Sequence, residues 1–160
     1  DYLIVSVGPQ IKQLIQNPRP CELDPAKIPE GEDIEQNQKN VLDISQNFLR
    51  DIKASIPQCP PAIREICKFL REIVTEKFPA AADTVIAGFV FLRYICPGIV
   101  APDGHGIVDT PIQDRDIRRA FVLITKVLQN LANRVLFTKE VFMQPINGFI
   151  EDNLQMMKDM

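Results

Sequence analysis

The chain offers little material for covalent or metal chemistry. His105 is its only histidine, so zinc sites and histidine-assisted nucleophiles have little to build from. The four cysteines, Cys21, Cys59, Cys67 and Cys96, form no CxxC pair. Cys67 and Cys96 fall within apolar patterns and read as small core residues of a reducing compartment. Gly104-His105-Gly106 lacks the third glycine and the strand-to-helix setting of a phosphate loop. Glu30, Glu32, Asp33 and Glu35 read as a solvated helix start rather than a cation site. Two features remain. One is Arg93, alone in the apolar stretch Val85–Pro102, VIAGFVFLRYICPGIVAP. The other is a basic run in an acidic protein: Arg115, Arg118, Arg119, Lys126, Arg134 and Lys139, against Asp114 and Asp116.

An all-α fold must position them, since no segment alternates with period two long enough for a sheet. Apolar residues at Leu3, Ile4, Val7, Ile11, Leu14 and Ile15 predict a first helix, broken at Gly8-Pro9. Four prolines among residues 17–31 predict a surface loop. A second helix is expected from about Asp33 to Ser55, and a third begins at Pro61 and carries an Ile63, Ile66, Cys67, Leu70, Ile73, Val74 stripe. The next, from about Ala80 to Cys96, is apolar on every side and is expected at the centre of the domain, with Arg93 needing acceptors there. Gly88, Arg93, Pro97 and Gly98 interrupt the Val85–Pro102 stretch too often for a good membrane span. A turn at Asp103–Gly106 leads to a helix capped by Asp114, and Thr138 is the expected cap of a last helix kinked at Pro145. On the helix capped by Asp114, Arg119, Lys126, Gln129 and Asn133 are expected along one exposed strip. The expectation is an irregular bundle of six to seven helices around a buried central helix, in one domain over residues 1–160.

Composition agrees with a globular chain, 46% hydrophobic and 24% charged over 160 residues. A net charge of −3 argues against nucleic acid as the main partner. The N-terminus lacks a basic region and a cleavage pattern, and without an initiator Met the chain reads as part of a longer, cytoplasmic protein.

Phe91-Leu92-Arg93, continued by Tyr94-Ile95-Cys96-Pro97-Gly98-Ile99-Val100-Ala101-Pro102, resembles the FLR…P-A-I-V-x-P signature of Ras GTPase-activating domains. A second block is similar to the same family: Lys126-Val127-Leu128-Gln129-Asn130-Leu131-Ala132-Asn133, then Leu136-Phe137-Thr138-Lys139-Glu140. The likeness runs from about Tyr2 to Asn153, is stronger to the neurofibromin-type branch and weaker to IQGAP-type domains, and departs from the family at Gly98, usually alanine. It implies a helical domain that binds GTP-loaded Ras-family GTPases in a groove and stimulates their GTP hydrolysis. Such a domain needs no cofactor of its own and does not insert into the membrane, to whose inner face flanking regions would recruit it. Arg93 then corresponds to the residue bracing the arginine-finger loop, and Lys126 to a lysine that pairs with acidic residues of Ras. Leu92, Gln129 and Asn133 belong to the same partner-binding surface. Arg19, between prolines, and Arg50, inside a helix, do not match the finger motif, so the expectation is a C-terminal portion that carries brace and docking surface without the finger. The alternative is an IQGAP-type module that binds a small GTPase without activating it.

Overall fold

The computed structural model describes residues 2–160. It is built of α1 (Tyr2–Ser6), α2 (Gly8–Gln16), α3 (Ile34–Ser55), α4 (Pro61–Lys77), α5 (Ala82–Val90), α6 (Cys96–Val100), α7 (Arg115–Asn133) and α8 (Asn147–Asp159). A π-helical turn, Phe91–Ile95, joins α5 to α6 without a break. Counting that run as one helix gives seven, and the described residues contain no strand.

Most boundaries follow from local chemistry. Pro9, lacking an N–H, separates α1 from α2 at Gly8. Asp33 caps α3, its Oδ1 accepting from Glu35 N at 3.0 Å. Asp114 caps α7, accepting from Asp116 N at 2.8 Å and Ile117 N at 3.1 Å. Arg134 ends α7 in a left-handed conformation (φ 57°), and Val135 N returns to Asn130 O at 2.9 Å, satisfying a carbonyl of the last turn. The π turn is marked by Cys96 N, which donates to Phe91 O five residues back, and Pro97 just after it has no N–H for the carbonyl of Arg93.

The hub of the fold is α7 rather than the 80–96 helix. Helix α7 packs against α3, α5, α6 and α8, and buries Ile117, Ala120, Phe121, Leu123, Ile124, Val127, Leu128, Leu131 and Ala132. Helix α3 adds Val41, Ile44, Phe48, Leu49 and Ile52. The expectation of a central helix buried on all sides is corrected: in α5 only Ala82 is buried, and full burial begins at Phe91, Ile95, Cys96, Gly98 and Ile99. An apolar circumference calls for cover, but the neighbouring helices cover only one side. By length and composition Pro79–Val100 could also cross a membrane, although it packs here on α4 and α7. Gly98 has a packing role, since a Cβ there would lie 3.2 Å from Leu3 Cδ1 and 3.4 Å from Ile107 Cδ1. Its lack of a side chain brings α1 close to α6.

Two further expectations change. Thr138 caps nothing. A 3-10 turn, Val141–Ile146, precedes α8, because Pro145 cannot donate to the carbonyl of Val141 and the α-helical ladder starts only after it. Asn147, at the start of α8, brackets Phe137, accepting from its N at 2.8 Å and donating to its O at 3.1 Å, and so fixes the segment leading to Glu140. Cys67 is half-buried and lines a cavity, whereas Cys21 and Cys96 are the buried thiols, each pushed up to about 12 chiefly by burial. All four cysteines are free.

Candidate functional site

Arg93 projects from the π turn into solvent. Phe91 and Ile95, on either side of it in sequence, turn inward to the core. Among the described residues it forms no ion pair, so the sequence expectation that it must find acceptors inside the chain is corrected. An exposed guanidinium keeps its hydration and needs no protein partner. Its fork of donors is therefore available to a group outside these helices. Leu92 beside it is partly buried and packs on the core.

The α7 residues form a row, but not a uniformly exposed one. Lys126, Gln129 and Asn133 are half-buried and follow one another at three and four residues, on one side of the helix. Asn133 meets α5: its Oδ1 lies 3.8 Å from where a Cβ on Gly88 would stand. Gly88 is one turn before Leu92, so the end of the α7 row adjoins the helix that carries Leu92 and Arg93. Lys126 is not free. Its Nζ donates to Glu140 Oε1, and both side chains remain about one-third exposed. Arg119 departs further from the expected strip. Its Nε and one Nη donate to the two carboxylate oxygens of Glu22 at 2.8 and 3.0 Å, with side-chain exposures of 26% and 11%.

That pair ties the proline-rich loop to α7. Glu22 also accepts from Leu23 N and Asp24 N, each at 3.0 Å. Burial alone would raise its carboxyl, yet Arg119 and the two backbone donors outweigh burial and hold it below the usual glutamate value. Asn37 donates to Glu22 O, and Asn40 to Pro20 O, so α3 fixes the loop from the other side. At the far end of α7, Asp83 accepts from Arg71 and Arg134, linking α4, α5 and the α7 cap. The chemistry available is recognition: one exposed guanidinium, one lysine held by an exchangeable carboxylate, and side-chain amides between them. Among the described residues no cluster of His, Cys, Asp and Glu could hold a metal ion.

Sequence reasoning missed Glu22 and Glu140. Glu140 lies in the second family-like block, fourteen residues after Lys126, a separation that carries no periodic signal across a helix end and a turn. Glu22 lies 97 residues from Arg119, and only the tertiary fold brings them together.

The sequence profile of the family described as GTPase-activator protein for Ras-like GTPase matches residues 28–133, which include Leu92, Arg93, Lys126, Gln129 and Asn133. The probable Ras GTPase-activating-like protein ngap of Dictyostelium discoideum is 38% identical over 98% of this chain and 18% of its own length. Human Ras GTPase-activating protein 1 is 35% identical over 89% of the chain and 14% of its own. Inhibitory regulator protein IRA2 of Saccharomyces cerevisiae is 35% identical over 83% of the chain and 4% of its own. The chain thus spans less than a fifth of each of these curated relatives. With the profile covering about two-thirds of an all-helical chain, including the first sequence block and the second as far as Asn133, the chain belongs to the family of GTPase-activator proteins for Ras-like GTPases.

Proposed function

We propose that this chain acts as part of a GTPase-activating protein, docking a GTP-loaded Ras-family GTPase along α7 and the π turn and promoting hydrolysis of its GTP. The observation that carries the reading is the held lysine. Lys126 stands on the partner-facing row in a half-exposed ion pair, so an acidic partner can replace Glu140 by exchanging one carboxylate for another. Gln129 and Asn133 extend the contact toward Leu92. Arg93 braces an arginine-finger loop that these 160 residues do not include. Arg19 lies between two prolines and Arg50 lies within α3, so neither sits in the finger motif. The chain is then a regulator of the partner's active site rather than an enzyme. The GTPase supplies the nucleotide and its metal, and the setting is the cytoplasmic face of a membrane reached through flanking regions.

Single-turnover GTP hydrolysis by a Ras-type GTPase, with this chain in excess, tests the assignment. The expected result is measurable association with little acceleration, because the stabiliser of transition-state charge is missing. Full acceleration would assign the finger to an arginine of this chain. Association weakens for Lys126→Glu and tightens for Glu140→Gln; unchanged affinity in both would remove α7 from the interface. An IQGAP-type binder is the second reading, distinguished by GTP-dependent association without acceleration even when the longer protein is assayed.

A further inference from the structure

Helix α4 is amphipathic yet buries none of its seventeen residues. Its inward stripe, Ile63, Cys67, Leu70 and Val74, is half-covered by neighbouring helices. Beside that stripe runs a second apolar ridge, Ile66 (45% exposed), Phe69 (60%) and Ile73 (43%), with Phe78 (66%) at the helix end. Spacings of three and four residues make Ile66, Phe69 and Ile73 a ridge along one side of the helix. Three large apolar side chains so aligned are a contact surface rather than scattered surface hydrophobes. Along one edge of the ridge stand Glu65, Glu72 and Glu76, all exposed. Among the described residues none of the three forms an ion pair.

We propose that the Ile66–Phe69–Ile73 ridge is the seat of an amphipathic helix whose apolar stripe is edged by lysine or arginine. The ridge supplies the geometry for a helix laid alongside α4, as ridges pack into grooves. The three unpaired carboxylates supply the charge preference, since a basic edge pairs with them while an acidic edge repels them. The same carboxylates disfavour the other occupants of such a surface. Two copies of α4 packed antiparallel about Phe69 bring Glu65 of one copy beside Glu72 of the other. An anionic membrane leaflet meets like charge along the whole edge. The proposal is independent of the GTPase reading, because none of these residues lies on the α7 row.

The test uses this chain with two probe peptides of about 25 Å helical length, matching α4. Both carry the same leucine stripe, one edged with lysine and the other with glutamate. Fluorescence anisotropy is expected to show saturable one-to-one binding of the lysine-edged helix, about tenfold or more tighter than its twin. The double variant Ile66→Ser/Ile73→Ser abolishes binding of both peptides. Because these side chains are exposed, circular dichroism should show its helix content unchanged. The charge variant Glu65→Lys/Glu72→Lys inverts the preference between the twins. Equal binding of the two peptides, or binding that survives the double serine variant, overturns the proposal. So does a self-dimer in sedimentation that the serine variant dissolves, which would make a second copy the occupant. Capture on phosphatidylserine vesicles that the serine variant abolishes would likewise overturn it in favour of a membrane.

Discussion

Helices α7 and α4 are of similar length and similar amphipathic pattern, yet α7 is buried along its whole apolar face while α4 buries nothing completely. The difference lies in their neighbours. Four helices surround α7, whereas α4 is held mainly by α5 and the short turn before it. An amphipathic pattern therefore states that a face is to be covered, and does not state by what. Burial also divides the Ala82–Val100 run: Phe91, Ile95, Cys96 and Ile99 are fully covered, whereas Ala82–Val90, though it too meets α7, stays half-open beyond Ala82.

The largest effect expected from that contrast is in the core. Phe121→Ala on α7 should cost about 3–5 kcal/mol in urea unfolding, through lost burial and the cavity it leaves. Phe69→Ala on α4 should cost less than about 0.5 kcal/mol, because its ring is already in water. Similar costs at both positions would mean that α4 is covered in solution, and the contrast would fail.

Next comes the tie between the proline-rich loop and α7. Arg119→Gln should cost about 1–2 kcal/mol, since it leaves a mostly buried carboxylate without its ion-pair partner. The pH dependence has a definite sign. Glu22 is held below its ordinary value, so its contribution is fully present above 4.5 and is lost as pH falls through the depressed value. Glu22→Gln should accordingly flatten the acid limb of the stability curve. An unaltered acid limb would place the loop's anchorage elsewhere.

A smaller effect distinguishes local from tertiary support of α7. Asp114→Ala removes the acceptor of two N–H groups and should lower stability by about 1 kcal/mol in thermal unfolding. The smallest belongs to Arg93→Ala, expected within about 0.5 kcal/mol of the parent. A loss of several kcal/mol there would show that the guanidinium is a structural element of this chain and not an outward-facing group.

These magnitudes follow the division between what could and could not be read from sequence. The break at Gly8-Pro9, the caps Asp33 and Asp114 and the start of α4 at Pro61 are local consequences of missing donors and side-chain acceptors, and they appear where the residues place them. Thr138 failed as a cap because Asn147, nine positions later, takes hold of the neighbouring backbone, and Pro145 delays the helix. Arg93 looked like a buried charge because its sequence neighbours are apolar, and no periodicity reports which neighbours a folded chain will lack. The candidate surface was legible as residue types at Leu92, Arg93, Lys126, Gln129 and Asn133. The carboxylates that hold Lys126 and Arg119 were not, since those pairings exist only in three dimensions.

The two tyrosines of the chain, Tyr2 and Tyr94, lie with ring centroids 6.3 Å apart and planes 4° from parallel, and Ser55 Oγ donates to Tyr2 Oη at 3.0 Å. With no tryptophan present, nearly all absorption of the protein near 280 nm comes from this one stack. It touches α1, α3 and the π turn beside Arg93. Near-ultraviolet dichroism is thus a built-in optical gauge of that junction, and an event that shifts the Arg93 turn becomes visible in the unlabelled protein.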